Sequence, residues 1–309
     1  MSRHITTMNL RPDISVIILN YNGYGETVQL LESLMPFVRP NYEVFVADNG
    51  SSADEASLIS LNYKNINVVK TGQNLGFAGG NNFVIDTSKG RYLLFLNNDT
   101  IIEDDSIDKM ILFMDQNPLA GALSPRLHYD DPERTIQFAG YTKLSVFTLR
   151  NRCIGKGSKD TSPYLNACET AYLHGAAMMV RREVIEKVGA MDESFFLYYE
   201  EIDWSERIKA AGYQIWYFPQ AFIIHKESTS IGNESSSKKY YMTRNRLLFA
   251  LKHRKGLQRI LSVFYLIFVA STVAILRAVL DSRPDQVAAI ASGVRDFSRK
   301  KFGKWEQKF

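Results

Sequence analysis

Apolar residues in the first hundred positions come in short continuous runs, at 14–19, 42–47, 67–70 and 92–96, rich in β-branched and aromatic side chains. Continuous rather than alternating runs are the pattern of strands covered on both faces. Each run ends in polar turn residues: Asn20-Tyr21-Asn22-Gly23, Asp48-Asn49-Gly50-Ser51-Ser52, Thr71-Gly72-Gln73-Asn74 and Asn97-Asn98-Asp99-Thr100. Helix-like stretches, for example 26–35 and 55–61, lie between them. Strand and helix alternating over short links predict an α/β fold with a mostly parallel, doubly wound central sheet flanked by helices. Ligands of such sheets gather beyond the carboxyl ends of the strands, so the four polar turns are expected to converge on one crevice.

Residues 126–172 mix Gly, Pro, Ser and charge with weak strand signals and read as a long surface excursion or lid. A second apolar block, 175–180, precedes a helix over 182–188 that closes with Gly189. The run from Phe195 through Tyr199-Glu200-Glu201-Ile202-Asp203-Trp204 leads into a helix that Gly212 should cap. A strand-like run, 214–218, continues through Pro219 to Ile223-Ile224-His225.

The remaining chain differs in kind. From Lys238 to Phe309 there are 16 Lys and Arg against four acids, a net +12, while residues 1–237 carry 21 bases and 29 acids, a net −8. Within that basic tail, 260–276 is 17 residues without a charge, bracketed by Arg259 and Arg277. As a helix it spans about 26 Å, short of the roughly 30 Å hydrocarbon core. A segment lying in or dipping into the cytoplasmic leaflet is expected, its cations on lipid phosphates; burial against the body or a second subunit is the alternative. The expected domains are therefore 1–250, the α/β unit, and 251–309, a basic and apolar helical region that meets the membrane.

Composition is ordinary for a globular chain, 45% hydrophobic and 23% charged, which excludes wholesale disorder and a multi-span transporter. Two cysteines make no disulfide framework, and the first apolar run is strand-sized, unlike a secretion signal. A cytoplasmic protein, peripheral on the inner face of the membrane, is expected. An anionic membrane surface is the expected partner of the tail, nucleic acid is not, and a homo-oligomer is left open.

Several turns could carry chemistry, each with a plainer reading beside it. Asp99 ends a strand beside side-chain amides and could hold a hard divalent cation, or merely close an Asx-type turn. Asp48 could accept from the imide edge of a pyrimidine, or simply start a helix after an Asn-Gly turn. The glycine-dense run Asn74-Leu75-Gly76-Phe77-Ala78-Gly79-Gly80-Asn81-Asn82 could let backbone N–H groups approach a pyrophosphate, or serve tight packing. It matches neither common nucleotide fingerprint. Glu200, Glu201 and Asp203 open a helix, where acids suit the dipole; crowded carboxylates would also raise one another's pKa and suit a general base. His225 could complete a metal site with Asp99 or be structural. Lys226 and the loop 228–230 could reach a diphosphate.

The order of these segments is more telling than any one of them. The succession Val16-Ile17-Ile18-Leu19-Asn20-Tyr21-Asn22, Val46-Ala47-Asp48-Asn49-Gly50-Ser51-Ser52, Asn74-Leu75-Gly76-Phe77-Ala78, Leu96-Asn97-Asn98-Asp99, Tyr199-Glu200-Glu201-Ile202-Asp203-Trp204 and His225 resembles the family 2 glycosyltransferases, over about residues 12–250. Within that family it looks like the bacterial rhamnosyltransferase-like branch that builds cell-surface polysaccharides. The resemblance implies the GT-A (Rossmann-like) fold, a nucleotide-diphosphate sugar donor, a divalent cation (Mg2+ or Mn2+) and inversion at the anomeric carbon. It also implies roles. Asn20, Tyr21 and Asp48 would hold the nucleoside, with Asp48 on the base. Asn74, Gly79, Asn81 and Asn82 would contact ribose and diphosphate. Asn97-Asn98-Asp99 stands at the family's Asp-x-Asp place, with Asn98 near the donor, Asp99 on the metal and His225 matching the downstream metal-ligand histidine. Glu201 would be the base, with Glu200 and Asp203 in support.

Two departures stand out: Asn97 replaces the first Asp, and Glu201 stands where Asp is usual. The donor implied is a dTDP- or UDP-sugar, dTDP-rhamnose first, and the acceptor is a saccharide hydroxyl on a polyprenyl-linked or cell-surface precursor. A sugar nucleotidyltransferase would show a similar sheet but with a Lys/Arg phosphate clamp after its first strand, where this chain has Asn20-Tyr21-Asn22-Gly23. A non-catalytic sugar-nucleotide-binding protein is the other alternative.

Overall fold

The computed structural model describes residues 11–227 and 235–306. The first strands follow the apolar runs: β1 Ile14–Asn20, β2 Tyr42–Asp48, β3 Asn67–Lys70 and β4 Tyr92–Asn97. All four are parallel, in the order β3-β2-β1-β4. Register aligns their carboxyl ends, Asn20 beside Asp48 and Leu19 beside Asn97. The sheet continues through β9 (Ala177–Arg181), β6 (Ala120–Tyr129) and β10 (Gln214–His225) to the two-residue β5, Thr100–Ile101. Here parallelism breaks: β9 runs antiparallel to both β4 and β6, whereas β6 and β10 are parallel. The sheet is therefore parallel at one side and mixed at the other. Pro219 falls where the register of β10 against β6 shifts, so the two runs seen in sequence are one strand with an irregularity, a place that tolerates a residue lacking an N–H.

Burial on both faces explains the continuous runs. Ile14, Val16 and Ile18 of β1 pack toward α1 (Tyr24–Leu34) and α4 (Ser106–Gln116) through Leu30, Leu31, Met110 and Met114. Ile17 faces the other way, with Phe45 and Phe95, into α3 (Gly76–Ile85), α5 (Arg182–Val188) and α6 (Glu200–Ala210). Trp204 of α6 is fully buried against Phe95, edge to face at 5.6 Å. The short α2, Glu55–Asn62, follows the Asp48 turn and is capped by Asp54.

Residues 126–172 are not a free lid. After β6 the chain adds β7 (Ile136–Phe138) and β8 (Cys168–Glu169), with a ladder of backbone bonds between 139 and 154. Its far end, Leu144 and Leu149, is buried against the C-terminal helices. Those helices are α7 (Ser236–His253), α8 (Gly256–Phe264), a π-helical turn (Tyr265–Ala270), α9 (Ser271–Leu280) and α10 (Pro284–Ser298). Helix α10 lies so close along α7 that a Cβ on Gly293 would stand 3.0 Å from the Tyr240 carbonyl.

Segments α8 to α9 form one helix, Gly256–Leu280, of 25 residues. At about 1.5 Å per residue it is about 37 Å long, well beyond the uncharged run inside it, because the helix continues through Arg259 at one end and Arg277 at the other. It is long and apolar enough to cross a membrane, yet one side packs on the protein through Ser262, Leu266, Ser271 and Ala278. The opposite side leaves Ile260, Phe264, Phe268, Leu276 and Leu280 exposed. Full burial against the body is thus not what this helix does.

Candidate active site

Three strand ends are tied together by one buried network. Asn20, at the end of β1, donates to Asp48 Oδ1 (3.1 Å) and to Glu55 Oε2 (2.8 Å), and accepts from Thr27 Oγ1 (2.7 Å). Thr27 Oγ1 in turn accepts from Asn98 Nδ2 at 3.2 Å, so the ends of β1, β2 and β4 share one cluster. Asn20 and Thr27 are fully buried. Their effect is to fix Asp48, whose Oδ2 makes no hydrogen bond among the described residues. Asn98 also donates to the Gly23 carbonyl. Tyr21 stands at the mouth, 45% exposed, its ring open to a planar ligand.

The backbone N–H of Lys226 donates to the Asp99 carbonyl, and Thr100 pairs with His225, which brings the end of β10 against the turn after β4. His225 Nε2 and Asp99 Oδ1 are 3.2 Å apart. Gln137 Oε1 lies 2.7 Å from His225 Nδ1. Because a carbonyl oxygen only accepts, Nδ1 carries a proton there and Nε2 turns toward the carboxylate. A lone pair facing a carboxylate needs a proton or a cation between them. Neighbouring ligands on an octahedron with bonds of about 2.1 Å stand about 3 Å apart, so this pair fits one edge of a hard divalent site. Among the described residues no group of three or more His, Cys, Asp or Glu is placed to hold a metal ion, so other positions would fall to ligand oxygens and water. Lys226 Nζ donates to Gln29 across the crevice; residues 228–230 lie outside the described residues.

From His225 a row of rings crosses to the acids. His174 lies 6.2 Å from His225, edge to face, and stacks on Tyr141 at 5.9 Å with planes 5° apart. His174 Nδ1 accepts from the Ala176 N–H, leaving Nε2 as its donor, and burial together with the charges of His225 and Lys156 pushes it down to about 3. Burial raises the Tyr141 phenol well above its usual range, with Glu201 among the charges acting on it. Neither His174 nor Tyr141 was among the expected site residues; no motif marks them, and they meet only in the fold.

Glu201 is the second residue of α6, after a loop in which Phe196, Tyr198 and Tyr199 all have positive φ, 64°, 67° and 78°. That loop is braced from α7. Asn245 Nδ2 donates to the carbonyls of Phe195, Leu197 and Tyr198, each at 2.8 Å, while the buried Arg244 reaches those of Ser194 and Phe195. Glu201 keeps some contact with solvent, yet burial pushes its carboxyl up to about 7. Glu200 is raised as well, by burial and then by Glu201, and its Oε2 is buried without a hydrogen-bond partner.

The other expected residues are engaged within the fold. Asp203 does not support Glu201: it pairs with Arg207 (2.8 Å) and His253 (2.7 Å), so although burial pushes its carboxyl up, those bonds hold it at about 2. Asn82 donates to the Met191 carbonyl and to Glu193, and Asn81 is buried with its amide on the Phe77 carbonyl. A Cβ on Gly79 would stand 2.8 Å from Leu75, and one on Gly76 would strike the Phe196 carbonyl at 2.2 Å. The glycine-dense run therefore packs α3 tightly onto its neighbours. Asn74 caps that start by accepting from the Gly76 N–H.

The fold is that of the nucleotide-sugar-dependent glycosyltransferases, the GT-A fold. A mannosyltransferase from Pyrobaculum calidifontis, solved with GDP-Man and Mn2+, superposes with a TM-score of 0.58 over 95% of this chain and 89% of that one, at 14% identity. GalNAc-T7, solved with UDP, GalNAc and Mn2+, gives 0.59 over 86% of this chain and 58% of that one, at 12% identity. More particularly, the chain belongs to glycosyl transferase family 2, whose model matches residues 15–189. It is 24% identical to an N-acetylglucosaminyl-diphospho-decaprenol L-rhamnosyltransferase of Mycobacterium tuberculosis, over 72% of this chain and 79% of that one. It is 28% identical to a low-salt glycan biosynthesis hexosyltransferase of Haloferax volcanii, over 76% and 75%.

Proposed function

We propose that the protein is an inverting glycosyltransferase that moves a sugar, with L-rhamnose from dTDP-rhamnose the first choice, onto a saccharide hydroxyl of a lipid-linked envelope precursor. The observation carrying this reading is the Asp99–His225 pair, 3.2 Å apart at the strand ends and linked through the rings of His174 and Tyr141 toward Glu201, whose carboxyl burial pushes up to about 7. An acid with that pKa is largely ionised just above neutrality and still basic enough to take a proton. The acceptor oxygen attacks the anomeric carbon from the side opposite the diphosphate. Its proton passes to Glu201, the bond to the diphosphate oxygen breaks, and configuration inverts.

Asp99 and His225 would hold Mg2+ or Mn2+, which when bound supplies charge neutralisation of the leaving diphosphate. Asp48 and Tyr21 are assigned to the nucleoside base, with Asn20, Asn98 and Asn74 positioning the strand ends around it. The similarity to the mycobacterial rhamnosyltransferase supports the choice of sugar and of a polyprenyl-linked acceptor. Residues 1–250 are read as the catalytic unit and 251–309 as the part that lies on the inner face of the membrane, for which the exposed apolar side of Gly256–Leu280 and the basic tail speak.

A thermal-shift panel of nucleotide sugars with Mg2+ or Mn2+, followed by product release from the best binder, tests the reading. Stabilisation by one nucleoside diphosphate sugar and metal-dependent turnover are expected. No stabilisation by any nucleoside diphosphate sugar refutes it.

A further inference from the structure

A second cavity, of about 350 Å3, opens beside the crevice between the loop at 149–151 and the C-terminal helices. One wall is polar and cationic, with Arg150, Lys239 and Arg246; the other is apolar, with Leu266, Ala270 and Ala274. No acidic side chain is among its described lining residues. Arg150 is exposed, and its guanidinium makes no hydrogen bond or ion pair among the described residues. Arg246 spends one nitrogen on the Thr148 carbonyl, and its Nε is buried without a partner. Two guanidiniums that face one cavity without a carboxylate between them repel each other unless an anion joins them.

The apolar wall has a direction. Leu266 and Ala270 belong to the π-helical turn, which re-aims the long helix at this point. The same helix carries its exposed apolar side, Phe264, Phe268 and Leu276, outward from the cavity. An amphiphile with an anionic head in the cavity would thus meet apolar side chains at the cavity wall and again on the exposed side of the same helix. The cavity is also close to the acids: Tyr199 lines it and precedes Glu201 by two residues. Burial raises the Tyr199 phenol to about 12, with Arg246, Glu201 and Arg150 all acting on it, so one ring lies within electrostatic reach of both the cationic wall and Glu201.

We propose that this cavity binds the diphosphate head of a lipid diphosphate, with its chain along the π-turned helix, and so presents a sugar carried on that head to Glu201. The assignment rests on the glycosyltransferase reading for the sugar's fate, but the lipid-diphosphate site stands on its own lining. The shared chemistry, a diphosphate, also occurs in soluble form, and the apolar wall favours the lipid.

Farnesyl diphosphate serves as probe for the full chain, with inorganic pyrophosphate, farnesol and phosphatidylglycerol vesicles as separate arms, read by intrinsic fluorescence and flotation. Wild type should bind farnesyl diphosphate at least tenfold more tightly than pyrophosphate or farnesol. Arg150→Gln, which disturbs no internal bond, should lose about tenfold or more in affinity for it, the usual worth of a charge-assisted contact. Ala274→Phe, which fills the apolar wall, should weaken farnesyl diphosphate and leave pyrophosphate alone. Binding of dTDP or UDP should be unchanged in both variants. Equal affinity of wild type and Arg150→Gln overturns the proposal; so does pyrophosphate binding as tightly as the lipid, or an equal loss of vesicle flotation, which would mark a general phospholipid surface. Loss of nucleotide binding in wild type would instead overturn the glycosyltransferase reading and leave this site standing.

Discussion

Replacing Glu201 by Gln separates chemistry from stability, because the two respond in opposite directions. The folded chain holds this carboxyl at about 7 against an ordinary value of 4.5. Between those values the native state binds the proton that the unfolded chain has released, so stability falls as pH rises from about 4.5 to 7 and then levels off. A rise of that size corresponds to about 3 kcal/mol of unfavourable ionisation above pH 7. Glu201→Gln removes the charge but keeps the shape. Urea unfolding should therefore find the variant as stable as wild type at pH 4 and more stable, by up to about 3 kcal/mol, at pH 8. Glu200 is also raised and still buried, so a shallower slope should persist in the single variant and disappear in Glu200→Gln/Glu201→Gln. Turnover should fall about 10²–10⁴-fold, the usual worth of a general base, with donor affinity nearly unchanged. A variant with wild-type pH dependence of stability would refute the buried, raised carboxyl. One with wild-type turnover would refute its role as base.

Asp99→Asn should reduce Mn2+-dependent donor binding by tenfold or more in calorimetry while leaving metal-free nucleotide binding as it was; equal Mn2+ effects in both proteins would remove Asp99 from the metal. Asn245→Leu takes a donor from three loop carbonyls, of which only that of Phe195 keeps another, Arg244, so unfolding should become easier by about 1–3 kcal/mol, and kcat should fall without a change in donor Kd. Phe264→Ser with Phe268→Ser takes two exposed rings off the long helix, each worth about 1.5–3 kcal/mol on burial, and should abolish flotation with anionic liposomes. Unchanged flotation together with a changed oligomeric state would mean that this side meets protein.

Where side chains alone decide the element, the sequence was readable. The four apolar runs became β1 to β4: in β1, β2 and β4 the apolar residues are covered on both faces and the run ends where polarity begins, while β3, at the sheet edge, is only half-buried. Strand β6 was hidden: Gly121 and Pro125 interrupt it, and only pairing with β9 and β10 holds it as a strand. Strands β7 and β8, of three and two residues, are too short to show any period. The antiparallel course of β9 is a matter of how distant pieces pair, which apolar content does not encode. The basic tail likewise overstated its surface charge, since Arg244 is fully buried and bound to carbonyls. His174 gave no signal because its surroundings come from Tyr141, 33 residues before it, and His225, 51 residues after.

The acids of α6 show the limit most sharply. Glu200, Glu201 and Asp203 are three of the first four residues of one helix, so dipole, propensity and spacing treat them almost alike. Their carboxyls nevertheless part by several units, Glu201 near 7 and Asp203 near 2. The difference comes from α7, some fifty residues on. Its end supplies His253 and Lys252 to Asp203, and its middle supplies Asn245 and Arg244 to the loop carbonyls before Glu200. One helix thus gives Lys252 and His253 to the carboxyl that is held low, and the bonds it makes near Glu201 go to loop carbonyls instead. Because α7 runs directly into the long apolar helix through Arg254 and Lys255, whatever fixes that helix also fixes the frame around Glu201.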